Sequence, residues 1–170
     1  NFDLSANFWD GATNTWTAEP SAALATNLAR VGSATTLTTW AFDLGFESIA
    51  GRLLVVWGIN GTLDPRYVIR TAGPAGSWGS TQTATAAFEE PTDMELSSDP
   101  DSNYIAYVNN TDNGGDADAC IWNGSSWLSC KNFDTSVDTT GAGTSNNAVN
   151  WVTSAGQTRA VITYDDANAA

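Results

Sequence analysis

The chain contains no histidine, which removes the commonest general base and with it the Ser-His-Asp and Cys-His arrangements of nucleophilic catalysis. Carboxylates remain. Asp43 with Glu47, Glu89 with Glu90, Asp93 with Glu95, and Asp165 with Asp166 are neighbouring pairs, and glycoside hydrolysis needs two such groups. Most of these acids sit in turns, where Asp is expected for backbone reasons, so the expectation is a protein that is not an enzyme. The run Asp99-Pro100-Asp101-Ser102-Asn103 has the alternating oxygen donors that begin a Ca²⁺ loop. Tyr104 stands where such a loop needs Gly, however, and Asn110 where it needs a bidentate Glu. A tight turn begun by Asp-Pro is therefore expected. Surface Ca²⁺ there, or among Asp112, Asp116 and Asp118, is the second reading, and no other cofactor is implied.

The two cysteines, Cys120 and Cys130, flank the turn Trp122-Asn123-Gly124-Ser125-Ser126-Trp127 almost symmetrically. A hairpin centred near Ser125 brings them opposite one another for a cross-strand disulfide, whereas a one-residue change of register sends them apart. A Zn²⁺ site would want more sulfur or imidazole than the chain has. Asn60-Gly61-Thr62, Asn109-Asn110-Thr111 and Asn123-Gly124-Ser125 each satisfy the N-glycosylation sequon in a predicted turn. Asn1 stands where an initiating Met would be, and there is neither a signal-peptide pattern nor an apolar run of membrane-spanning length. These features together lead to the expectation of a processed product or an excised segment of a longer chain, extracellular or at the cell surface, without membrane insertion.

The elements that position these residues are read from the tryptophans. A Gly/Ser-rich turn ending in Trp occurs three times: WDGATNTW at Trp9 to Trp16, TAGPAGSW at Thr71 to Trp78, and WNGSSW at Trp122 to Trp127. Apolar strands follow the same order, LLVVW at Leu53, YIAYV at Tyr104 and AVITY at Ala160, each preceded by a second strand-like run: WAFDLGFE, TDMELSS or AVNWVTS. Read with head joined to tail, Tyr164 to Gly11 matches Tyr107 to Gly124 in length and pattern, so the two ends look like halves of one repeat. The expected fold class is all-β, with antiparallel β-propeller-type blades of four short strands. Residues 1–170 form one domain, with repeat equivalents at about 39–88, 89–147, and 148–170 joined with 1–38. A β-sandwich is the alternative architecture, and Ser21 to Val31 has the composition for two helical turns.

A net charge of −13 and only six basic residues, Arg30, Arg52, Arg66, Arg70, Lys131 and Arg159, oppose binding to nucleic acid. Over its whole length the chain resembles the tandem propeller-like repeats of long secreted microbial surface proteins, in which strands like Tyr104 to Val108 precede an IWNGSSW-like turn. It is also distantly similar to fucose-binding and tectonin-like lectin propellers, whose blades end in a Trp-Asp-Gly-x-x-Trp turn. The Glu that precedes this turn in the fucose lectins is replaced here by Ala6 or Ala119.

Three repeats are fewer than the four to eight of a closed propeller. The expected function is therefore that of a structural subunit, self-assembling into an extracellular ring or filament by β-strand exchange with itself as partner. Phe2, Leu4, Phe8 and Trp9 on one side, and Val161 and Tyr164 on the other, complete the divided blade within the same chain or between neighbouring chains. The alternative is a lectin that binds glycans by stacking sugars on Trp57 and Trp122.

Overall fold

Continuous apolar runs, buried along their length as at Leu53–Trp57, and alternating runs, as at Gln157–Tyr164, give the strands, and no helix occurs among the described residues. The computed structural model describes residues 3–29, 32–33, 36–37, 41–84, 90–111, 117–134 and 147–164. Strands β1 (Asn7–Asp10) and β2 (Thr15–Ala18) form a hairpin, and β3 (Gly32–Ser33) and β4 (Thr36–Leu37) a second, very short one. A first four-stranded meander follows: β5 (Phe42–Phe46), β6 (Leu53–Trp57), β7 (Arg66–Arg70) and β8 (Gln82–Thr83). A second contains β9 (Pro91–Ser98), β10 (Ile105–Thr111), β11 (Ala117–Trp122) and β12 (Trp127–Asp134). A last hairpin joins β13 (Asn147–Ser154) to β14 (Gln157–Tyr164), and every pairing is antiparallel. The segment from Ser21 is not helical: Asn27 has φ 60°, which a right-handed helix excludes, and Leu4 and Ile59 bridge to Ala25 and Leu28 instead. Arg30 and Val31 lie outside the described residues.

The two meanders share a register. Phe46 pairs with Leu53 across a turn, and Ser98 pairs with Ile105 across a turn of the same length. Leu53 is thus equivalent to Ile105, Leu54 to Ala106, Val55 to Tyr107 and Val56 to Val108. Because successive strand side chains point to opposite faces, each meander buries both of its faces. Leu54, Val56 and Tyr67 of the first meet Met94, Ile105, Tyr107 and Trp122 of the second. The opposite face of the first, with Leu53, Val55 and Trp57, receives Leu4, Phe8 and Leu24. The opposite face of the second, with Ala106, Val108 and Ala119, receives Val149, Trp151 and Ile162. The result is a row of four layers, hairpin, meander, meander, hairpin, and this row replaces the two-layer sandwich alternative.

The layers approach closely at β5. A Cβ added to Gly45 would lie 2.9 Å from the Ile105 side chain, so this strand position admits only glycine if β5 is to reach the second meander. The neighbouring turn supplies a buried charge. Glu47, fully buried, accepts hydrogen bonds from Arg52 Nη2 at 2.9 Å and, across the layer boundary, from Trp122 Nε1 at 2.8 Å. Arg52 also donates to the Gly124 carbonyl, and Asn103 Oδ1 accepts from the Ile49 and Ala50 amides. Three turns are thereby locked together at one end of the layer boundary.

Cys120 and Cys130 form a disulfide, as the hairpin reading expects. Simple counting from the Trp122 to Trp127 pair would set Ser129, not Cys130, opposite Cys120. A bulge intervenes between Ile121↔Leu128 and Ala119↔Lys131, with Ser129 at φ 51°. The extra residue moves Cys130 into place, so here the one-residue change of register makes the bond.

Two stability measurements follow from this packing. Glu47→Ala leaves Arg52 and the Trp122 indole without their shared acceptor and should cost about 3 kcal/mol in urea unfolding, with Glu47→Gln costing less because the Trp122 bond survives. Reduction of the disulfide, which closes a loop of sequence separation 10, should cost roughly 3 kcal/mol, read as a lower melting temperature in dithiothreitol. An unchanged midpoint in either experiment contradicts the role assigned to that contact.

Candidate functional site

Among the sheet edges of the described residues, those of β1 and β14 carry the residues singled out for strand exchange. β1 is paired only with β2, and β14 only with β13. The two hairpins lie on opposite outer faces of the paired meanders. Completion of one hairpin by the other within the same chain, one of the two expected routes, is therefore not what forms. Leu4 is buried and exchanges backbone hydrogen bonds with Leu24 and Ala25. Phe8 is half-buried, its ring edge on to Trp78 with centroids 6.2 Å apart. The Arg70 guanidinium lies over the Phe8 ring at 4.1 Å and binds Glu19 at 2.6 Å. These contacts fix the first hairpin on its meander. Trp9 faces the other way and is exposed, as is Val161, while Tyr164 rests against Phe133. Phe2 lies outside the described residues.

Each open edge borders an apolar groove. The first, about 450 Å³, runs between β11–β12 and β14 and is lined by Ala119, Ile121, Leu128, Phe133, Trp151 and Ile162 among others. The second, about 370 Å³, lies between β1 and β5–β6 and includes Phe42, Leu44, Phe46 and Val55. Leu44, Phe46, Leu128, Phe133, Val152 and Val161 are exposed, an unusual concentration of large apolar groups beside unpaired backbone. Sequence reasoning singled out only Val161 of these. For Leu44 and Phe46 the available signal was the period-two run Phe42, Leu44, Phe46, which puts three large apolar groups on one face of β5.

The residues of the lectin alternative fare differently. Trp57 and Trp122 are each 1% exposed, so neither ring offers a face to a sugar; both fill the spaces between layers. Among the sequons, Asn60 stands exposed in its turn. Asn123 is half-buried, and its Oδ1 accepts from the Ser125 and Ser126 amides. Asn109 is 0% exposed in the middle of a sheet, which corrects its placement in a turn and removes it as a glycan acceptor. The Asp99 carboxylate caps its own turn through the Asp101 amide and the Ser102 hydroxyl, as the tight-turn reading expects. Asp112 and Asp116 lie outside the described residues, and Asp118 is buried on β11.

Among the described residues, the paired carboxylates are engaged by structural partners. Glu47 is held by Arg52, while Asp43 Oδ2 accepts from the Leu96 amide at 2.7 Å and the Glu95 carboxylate accepts from the Val149 amide. Asp43 and Glu95 occupy equivalent positions, opposite Val56 and Val108, so one device is used twice: a carboxylate on the first strand of a layer binds the backbone of the next layer. Burial raises the Asp43 carboxyl above its ordinary value. Burial also raises Glu95, helped by the charges of Asp43 and Asp93. Glu89, Asp165 and Asp166 lie outside the described residues. Comparison with protein families, with curated proteins and with solved structures finds no match, so function is read from this geometry.

A carboxyl whose value is raised on folding holds its proton more tightly in the folded chain. Its contribution to stability is fully present below the ordinary carboxylate value, about 4, and is lost as pH rises through the raised folded value. Melting temperature should therefore rise as pH is lowered toward that ordinary value, and Asp43→Asn should shrink that rise. A melting temperature that falls on this acidification, or an Asp43→Asn protein with the full rise, contradicts the assignment.

Proposed function

We propose that the protein is a non-enzymatic structural subunit of an extracellular assembly, built from propeller-type blades and joined to its neighbours by strand exchange. The observation that supports this most directly is the division of strands. Each meander has four antiparallel strands, the number in a blade; on this reading β13–β14 supplies the first two strands of a third, and β1–β2, with its Trp-containing turn, the last two. Pairing β14 of one copy with β1 of the next completes the blade by β-augmentation and covers both exposed edges. The disulfide and the exposed Asn60 sequon fit an oxidising, secretory route. Such a contact is head to tail, and repetition gives a ring or a filament according to whether the rotation closes. Three blade equivalents per copy make two copies a ring of six, inside the four to eight that propellers adopt.

The open edge of β14 can be blocked selectively. The two-residue turn at Ala155 and Gly156 makes Ser154 and Gln157 a hydrogen-bonded pair, so alternate residues from Thr158 aim their N–H groups away from β13. Ala160→Pro removes one of these donors without removing a bond of its own hairpin. By ultracentrifugation the parent protein should sediment as a dimer or a longer series, and Ala160→Pro should give monomers with the circular dichroism of the parent. Deletion of residues 1–9, which removes most of β1, should likewise abolish multimers. A parent that stays monomeric at high concentration, or a deletion variant that still multimerises normally, refutes strand exchange.

A further inference from the structure

Resting on the strand-exchange reading, we infer that Trp9 and Trp16 form a docking wedge that seats in the groove between β11–β12 and β14 of a second copy. The chain already contains this joint once. Trp122 and Trp127 are directly opposed across a hairpin, with ring centroids 5.4 Å apart, and rest on Tyr67 of the preceding layer at 5.5 and 5.8 Å. Trp9 and Trp16 are opposed across a hairpin in the same way, with centroids 5.5 Å apart. Trp122 is buried, yet Trp9 and Trp16 are 48% and 68% exposed. Both pairs point toward the layer that would precede them, since Phe8 and Ile121, one position earlier, pack toward the layer that follows.

Register identifies the receiving surface. Tyr67 and Ile69, which support the buried Trp pair, oppose Val56 and Leu54; in the second meander the equivalent residues Val108 and Ala106 oppose Ala119 and Ile121. Ala119 and Ile121 line the first groove, together with the exposed Leu128 and Phe133. Alanine in place of tyrosine leaves the space that two indoles would take. The wedge is also preorganised, because Arg70 holds Phe8 and Glu19 on either side of it, so little ordering is lost on docking. A second copy is the occupant these facts select, since it alone presents the Trp pair beside a strand that pairs with β14.

Trp9→Ser and Trp16→Ser alter exposed rings and should leave the monomer folded while each weakens association roughly 30-fold or more, as buried aromatic anchors do. Leu128→Glu in the groove should have the same effect. Mixing the Trp9→Ser/Trp16→Ser protein with the Leu128→Glu protein should restore one sound joint, between the intact wedge of the latter and the intact groove of the former, seen as heterodimers by native mass spectrometry. If Ala160→Pro abolishes assembly while the double Trp variant assembles with parental affinity, the strands pair without the wedge and the inference fails alone. If the parent does not assemble, strand exchange itself fails and takes the wedge with it. Absence of heterodimers from the mixture, with both variants folded, overturns the head-to-tail placement of wedge and groove.

Discussion

The carboxylate of Glu47 organises the boundary between the two meanders. A fully buried charge is tolerated only when its lone pairs are occupied, and Glu47 meets that condition with Arg52 from its own turn and the indole of Trp122 from the next layer. Each partner is useful because of where it comes from. Arg52 carries the contact on to the Gly124 carbonyl, and Trp122 reaches Glu47 only if the second meander lies at one height and angle over the first. Apolar faces alone would let the layers slide, since Leu54, Val56 and Ile105 have no directional preference. The buried acid sets the offset, and the Trp122 and Trp127 rings, the Gly45 approach and the clasp of Asn103 on Ile49 and Ala50 all depend on it.

A second directional contact governs how one layer follows another. Asp43 binds the Leu96 amide and Glu95 binds the Val149 amide, so the first strand of each meander is stitched to the first strand of the layer after it. In the last hairpin the residue one before Val149, which answers to Glu95 and Asp43, is Ala148. The stitch is absent where the chain would meet another copy. An association that lacks this buried polar contact must draw on other sources, and the open β14 edge and the exposed Trp9 and Trp16 rings are the ones this surface offers.

Much of this was legible from residue spacing. Continuous apolar runs located the central strands of the meanders, which are buried on both faces, period-two runs located others, and the Trp-ended turns set the phase of the repeats. The cysteine pair was legible for the right reason in outline and the wrong one in detail, since the bulge at Ser129 is set by backbone geometry that composition does not carry. Asn109 was misplaced because an Asn-rich stretch reads as a turn, while in the fold its residues continue β10 into the interior. Trp57 and Trp122 were offered to sugars because a ring's type does not reveal its exposure. The stitches of Asp43 and Glu95 were not legible at all: each joins residues more than fifty positions apart, and only the shared register of the two meanders makes them equivalent.

Isolated two-stranded hairpins are marginal in water, yet this chain holds one at each end of its row. Each survives because one of its faces is seated on a four-stranded sheet: Phe8 against Trp78 on one side, Val149 and Ile162 against Ala106 and Val108 on the other. That support leaves side chains of the opposite face of each hairpin in solvent, with Trp9 and Trp16 at one end and Val152 and Val161 at the other. Under the proposed strand exchange, joining these preformed hairpins would require no refolding, only the loss of water from surfaces held in place. In the proposed assembly, curvature would set the limit, since the rotation between successive layers decides whether a second copy returns to the first or the row continues.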